Sequence, residues 1–245
     1  MIVDAHVHIG RSTRLQIDVD ADFLVEVADE LGFDKICCTD LTALFYDMHE
    51  GNRLLHREML RYPRRIIGYA TLHSTRFGEA ALDEIDRCVE EYGMRGLKIY
   101  STPEASIAEP AMIPILEKCV KHDIPILSHT TPAECEYLMS AVPECKLMMA
   151  HSGGQPFAKG DWNRAIMAAE RYPNLYLETA SSTVDAGFLE HAVKTLGAGK
   201  IIFGTDTPLL DPYVQRAKIS ETHLSEEEKA QVLGGNILRL MGLAA

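Results

Sequence analysis

Eight short runs rich in apolar and β-branched residues recur along the chain, at 2–8, 35–39, 66–72, 96–100, 124–129, 146–151, 175–179 and 201–204. Most of the gaps between them carry helical periodicity. Leu82, Ile85 and Val89 share a helix face that stops at Gly93, and Ile115, Leu116, Cys119 and Val120 form another after Pro114. Phe188, Leu189, Ala192, Val193 and Leu196 repeat the scheme up to Gly197. Strands that alternate with helices require right-handed crossovers and hence a parallel sheet. Several runs are continuously apolar rather than alternating, which suits a sheet covered on both faces.

Eight such units in 245 residues match the size of a TIM (β/α)8 barrel. An open doubly wound sheet is the competing α/β architecture. It requires a glycine fingerprint after the first strand, and Gly10-Arg11-Ser12-Thr13-Arg14 cannot make one. No linker or low-complexity tract interrupts the pattern, so residues 1–245 read as one domain. At the end, Ser225-Glu226-Glu227-Glu228 is a capping box opening a helix whose apolar face is Ala230, Leu233, Ile237, Leu240 and Met241. This helix is expected to pack across the barrel.

With 24 basic against 36 acidic residues, the net charge is −12. No basic run interrupts it, which argues against nucleic acid or an anionic membrane as partner. An anionic substrate would then depend on local arginines. No apolar stretch reaches membrane-spanning length and no export signal is read at the N-terminus, so the expected location is the cytoplasm. The cysteines, at 37, 38, 88, 119, 135 and 145, have no CxxC spacing and read as small buried hydrophobes of a reducing compartment.

Asp4-Ala5-His6-Val7-His8 carries the strongest chemical signal, because histidines at i and i+2 of a strand face the same way and can reach one metal ion. In a barrel the C-terminal strand ends converge on one mouth. Those ends carry His6 and His8, Lys98, His129, His151, Glu178 and Asp206: every one is a ligand, a base or an ion-pair former. Asp4 is expected to face away from the two histidines and to support them.

These pieces resemble the amidohydrolase superfamily of metal-dependent TIM barrels, in particular its amidohydrolase-related branch of hydrolases and decarboxylases. The resemblance rests on Asp4-Ala5-His6-Val7-His8, Gly96-Leu97-Lys98-Ile99, Ser128-His129, Ala150-His151-Ser152-Gly153-Gly154, Ile202-Phe203-Gly204-Thr205-Asp206-Thr207-Pro208 and Gly234-Gly235-Asn236. It implies that His6, His8, His129 and Asp206 bind a divalent ion, expected to be zinc, with a coordinated water of lowered pKa. Asp206 would double as general base, and His151 would polarise a substrate carbonyl. One ion is expected. A second would follow if Lys98 were carbamylated and drew in His129 and His151. Otherwise Lys98 pairs with Glu178 or a substrate carboxylate, and Glu178 is either a supporting partner or a structural ion pair. A homodimer is also implied.

Arg11 and Arg14, in the first loop, are candidates to clamp a substrate carboxylate, with Arg53 a weaker one. The Gly153-Gly154 turn reads as turn geometry rather than an anion cradle. His49, His56, His122, His191 and His223 show no ligand spacing and read as surface or packing residues; His73 ends the third run. The leading functional reading is metal-dependent hydrolysis of an ester, lactone or amide of a small molecule. The alternative is non-oxidative decarboxylation on the same ligands. The discriminator is a carboxylate clamp of arginine and aromatic residues, for which the loops offer only Phe45, Tyr46, Phe157 and Trp162.

Overall fold

The computed structural model describes residues 1–73, 78–101, 106–153, 162–181 and 187–244; Gly154 and Phe157 lie outside the described residues. Among the described residues nine strands form one sheet: β1 (Val3–Ser12), β2 (Ile17–Val19), β3 (Lys35–Asp40), β4 (Ile66–Thr71), β5 (Gly96–Tyr100), β6 (Ile126–His129), β7 (Leu147–Met149), β8 (Leu175–Glu178) and β9 (Ile201–Ile202). β2 folds back antiparallel on β1, and the other neighbours pair in parallel. The sheet closes on itself. Ala5 N–H donates to Phe203 O at 3.0 Å, Asp206 N–H to His6 O at 2.7 Å and His8 N–H to Thr207 O at 2.8 Å. Apart from the β2 hairpin, the chain is therefore the TIM barrel that its alternating pattern implies.

The wall separates two apolar clusters. Inside, Val3, Ala5, Tyr69, Leu127, Met148 and Ile202 fill the lumen with their neighbours, and Ile237, Leu238, Leu240 and Met241 close its N-terminal end. Outside, Val7, Ile9, Leu97, Ile99 and Phe203 meet the helices. β1 thus turns odd-numbered residues inward at its start and outward later. A register shift between Asp4 and Val7 makes the change, and it brings His6 and His8 to the lumen side above Val3 and Ala5. Strict alternation would have put Asp4 beside them. Instead the Asp4 carboxylate is turned to the next strand segment, accepting from Thr205 N–H at 2.9 Å and Thr205 Oγ1 at 2.5 Å. Burial pushes its carboxyl up to about 7.

The Ser225 capping box forms, opening a helix at Glu226–Ala230 that widens through a π turn at Gln231–Gly235 into Asn236–Leu240. Leu233, Ile237, Leu240 and Met241 are buried as the pattern implies, but Ala230 is exposed. The π turn changes the phase of the preceding turn, so a single 3.6-residue face does not run through it. Gly234 is required here: a Cβ would stand 2.5 Å from Met1 O. Asn236 donates to Ala198 O and Ile201 O, both at 2.8 Å, tying the helix to the base of β9.

The sixth run ends sooner than its sequence suggests. β7 stops at Met149, and Ala150–Gly153 is a tight turn with His151 and Ser152 at φ 57° and 48°. All six cysteines are free and buried. Among the described residues no helix is long and apolar enough to cross a membrane.

Candidate active site

The C-terminal mouth gathers most of the expected residues into one buried group. His8 Nε2 stands 2.9 Å, and His6 Nε2 3.3 Å, from Asp206 Oδ1. Each ring is oriented from behind. Thr39 Oγ1 lies 2.7 Å from His8 Nδ1 and can give its own proton to Val7 O at 3.3 Å, so it accepts from the ring. His6 Nδ1 lies 3.2 Å from Glu178 Oε2. Glu178 acts as acceptor, because His151 N–H at 2.9 Å and Ala180 N–H at 2.6 Å also point at its oxygens. Both Nε2 lone pairs are thereby aimed at the mouth, the arrangement a metal-binding imidazole requires.

Burial first, and the Lys98 charge with it, hold the two rings below the ordinary imidazole value, so they are neutral donors. Burial alone would raise the Asp206 carboxyl, yet His6, His8 and His151 outweigh it and keep the group below its ordinary value. The ligand atoms of His6, His8 and Asp206 lie within 4.8 Å of one another. Two neutral nitrogens and one carboxylate in that span fit a divalent transition ion.

Asp206 reaches the site from a residue at φ 60°. Two residues earlier, Gly204 passes so close that a Cβ would be 2.3 Å from Glu178 Oε1 and 2.7 Å from His6 Cβ. The Phe-Gly-Thr-Asp segment thus has a steric reason for its glycine.

Lys98, fully buried on β5, meets His6 Nε2 at 2.9 Å rather than Glu178. Burial pushes its ammonium down to about 8, against the pull of Asp206 and Glu178. His151 gives Nδ1–H to Ala180 O at 2.6 Å. Its Nε2 is then a proton acceptor, so polarising a carbonyl would require the doubly protonated ring. With His6 and Glu178 it forms a second group within the same 4.8 Å span. His129 stands one step out, its ring 4.8 Å from that of His151 and 4.4 Å from that of Tyr100, and it is not part of either tight group.

A cavity of about 150 Å³ opens at these groups, lined by His8, Lys98, His129, His151 and Asp206 together with Leu15, Leu41, Leu44, Phe45, Tyr100 and Leu209, with the exposed Arg14 at its rim. Arg11 does not line it. Its side chain is 73% exposed and lies 4.0 Å from Asp18 on β2, because β1 alternation sends it outward in the hairpin. Arg53 is spent on Glu50 at 2.7 Å. Trp162 packs on Phe188. His49 and His122 pair with Glu84 and Asp86 away from the mouth; a third acid–histidine group, Asp86, Glu90 and His122, already has the Lys118 ammonium on Asp86 at 2.6 Å.

Sequence reasoning passed over several supporting residues. Thr39 ends a strand and could have been found by asking what orients His8. Gln215, buried on the helix Pro212–Ser220, accepts from Ser181 N–H at 3.1 Å and donates to Ser181 O at 3.3 Å. It holds the segment whose Ala180 carbonyl orients His151. No local signal marks a glutamine for that task.

A closed parallel barrel with histidine and carboxylate donors at its C-terminal mouth defines a TIM-barrel protein of the metal-dependent type. The chain belongs to the amidohydrolase family: the model of the family described as Amidohydrolase matches residues 40–243. It is 26% identical to a 2-amino-3-carboxymuconate-6-semialdehyde decarboxylase of Dictyostelium discoideum, over 74% of this chain and 62% of that protein, so it spans less than two thirds of that relative's length. Its fold is similar to a 2,6-dihydroxybenzoate decarboxylase in complex with 2,6-dihydroxybenzoate (TM-score 0.80, 16% identity, 98% of both chains). It is likewise similar to a dihydroxybenzoic acid decarboxylase from a Polaromonas species holding manganese and 2-nitroresorcinol (TM-score 0.79, 16% identity, 98% of this chain and 96% of that one).

Proposed function

We propose that this protein is a metal-dependent, non-oxidative decarboxylase of a small unsaturated or aromatic carboxylic acid. The observation that carries the reading is the cavity itself, which Arg14, Phe45 and Tyr100 line together with His8 and Asp206 of the His6–His8–Asp206 group. That combination is the carboxylate clamp whose apparent lack in the loops favoured hydrolysis on sequence alone. Tyr100 ends a strand rather than lying in a loop, and Phe45 and Arg14 come together only in three dimensions. The decarboxylase names of the relative and of the two similar structures support the same choice.

His6, His8 and Asp206 would hold one divalent ion, with His129 in reach of the same cavity and Lys98 and His151 available to substrate. Manganese accompanies one similar structure, so zinc has no preference here over other divalent ions. When bound, the ion would supply a positive centre that draws electron density from a substrate oxygen.

The chain's own residues do the rest. Arg14 can bind a carboxylate oxygen pair in a field that is otherwise negative. Phe45 and Tyr100 present flat apolar surface to an unsaturated body and exclude water from it. The bond between the carboxylate carbon and its neighbour breaks, carbon dioxide leaves, and the electron pair stays on the substrate carbon. The proton for that carbon comes from solvent: the Asp206 carboxylate takes it up, with His151 Nε2 able to relay it, and hands it on.

The test is an assay of the metal-reconstituted protein against aromatic and dienoic carboxylates beside lactones, esters and amides of the same size. Carbon dioxide release, with one deuterium at the vacated carbon in D2O, is the expected result. Turnover of a lactone, ester or amide without carbon dioxide release would return the function to hydrolysis.

A further inference from the structure

The only rim arginine of the cavity among the described residues is held at both ends by two consecutive residues of another element. Arg14 sits in the turn Thr13–Gln16 between β1 and β2. Phe45 and Tyr46 end the helix Leu41–Phe45, which follows β3. The Phe45 ring lies under the Arg14 guanidinium, 5.4 Å from its carbon. The Tyr46 hydroxyl lies under the Arg14 backbone: it accepts from Thr13 N–H at 3.0 Å and Arg14 N–H at 3.4 Å and shares a proton with Thr13 Oγ1 at 2.9 Å. Phe45 in turn meets the Tyr100 ring at 5.9 Å, so the arginine's platform is continuous with the cavity wall.

A hairpin tip is ordinarily the most mobile part of such a fold. An arginine on a mobile tip loses side-chain and backbone entropy when it grips an anion. Holding the turn in advance removes part of that cost, and a phenol that accepts two successive backbone N–H groups does so without touching the ligand.

We propose that Tyr46 is a positioning residue for anion recognition: with Phe45 it presets Arg14 over the cavity, so that the β1–β2 hairpin acts as the arm selecting a substrate carboxylate. This rests on the assignment of Arg14 as the carboxylate clamp. The ligand class that follows is a flat monoanion whose charge is directed to the rim.

Benzoate and its neutral isostere benzamide, titrated calorimetrically into zinc-loaded protein, test it with no need for turnover. Tyr46→Phe should weaken benzoate about tenfold and leave benzamide unchanged, and Arg14→Ala should do the same to a greater degree. The melting temperature of Tyr46→Phe should stay near wild type, since the tyrosine is 47% exposed. Normal benzoate binding by Tyr46→Phe, together with weak binding by Arg14→Ala, would overturn the positioning role and leave the clamp standing. Benzoate binding indifferent to Arg14→Ala would overturn the clamp and the arm together. Equal loss of benzoate and benzamide in Tyr46→Phe would make the tyrosine structural and also refute the proposal.

Discussion

At the scale of single residues, the site is built from side chains whose second hydrogen-bonding atom is already committed. His8 leans on Thr39, His6 on Glu178, and His151 on Ala180 O. What remains is one Nε2 lone pair per ring, at the cavity for His8 and His151 and beside Lys98 Nζ at 2.9 Å for His6, and that is the difference between a histidine that packs and one that binds. Because burial lowers both His6 and His8 from 6.5, the neutral form of each ring predominates at that pH. In long-range proton–nitrogen spectra of the metal-free protein, both rings should be mainly neutral at pH 6.5, with midpoints at more acid pH; midpoints at or above 6.5 would contradict the burial argument. Gly204 allows a sharper test. Gly204→Ala puts a methyl group into the space of Glu178 Oε1 and His6 Cβ, and overpacking of this kind costs about 1–3 kcal/mol. The expected outcome is a folded protein of lower melting temperature that binds metal at least tenfold more weakly.

At the scale of elements, eight of the strands were legible in sequence because they are short apolar-rich runs, most of them separated by helical patterns. The His6–His8 pair, Asp206, Lys98 and Glu178 were legible because barrel topology assigns strand ends to one mouth. The hairpin strand β2 was not. Its three residues, Ile17-Asp18-Val19, carry too short a pattern to stand out, and with it went the placement of Arg11 outward and Arg14 inward. Asp4 turns to Thr205 and away from the histidines, as expected of it, but alternation could not reveal the register shift in β1 that brings this about. The C-terminal helix was readable from its π turn onward, and the missed exposure of Ala230, in the turn before it, is the trace of that change of phase. Ile237 and Leu240 plug the N-terminal end of the lumen at 1% and 2% exposure. Truncating either to alanine should destabilise the fold by about 2–4 kcal/mol in denaturant titrations while leaving metal content intact, since the plug and the ligands sit at opposite ends of the barrel. Ser225→Ala should cost about 1 kcal/mol through its lost cap. Loss of metal in the plug variants, with the barrel still folded, would show that the two ends are not independent.

At the scale of the whole molecule, the barrel separates stability from chemistry. The apolar lumen and outer layer hold the strands, and the mouth collects donors from β1, β5, β6, β8 and the segment after β9 that no short stretch of chain could assemble. A ligand that binds only this closed form stabilises it by mass action, by about 2.7 kcal/mol at a hundredfold excess over its dissociation constant. Thermal unfolding should therefore rise with manganese or zinc concentration in wild type and stay flat in His8→Ala. The most direct test of the central claim, that His6, His8 and Asp206 share a divalent ion, is elemental analysis of purified wild type and His8→Ala after identical metal loading, with circular dichroism as the check on folding. The expected result is about one equivalent of ion in wild type and a small fraction of that in a folded variant. A folded His8→Ala that keeps its full complement would contradict the ligand assignment and the mechanism that depends on it.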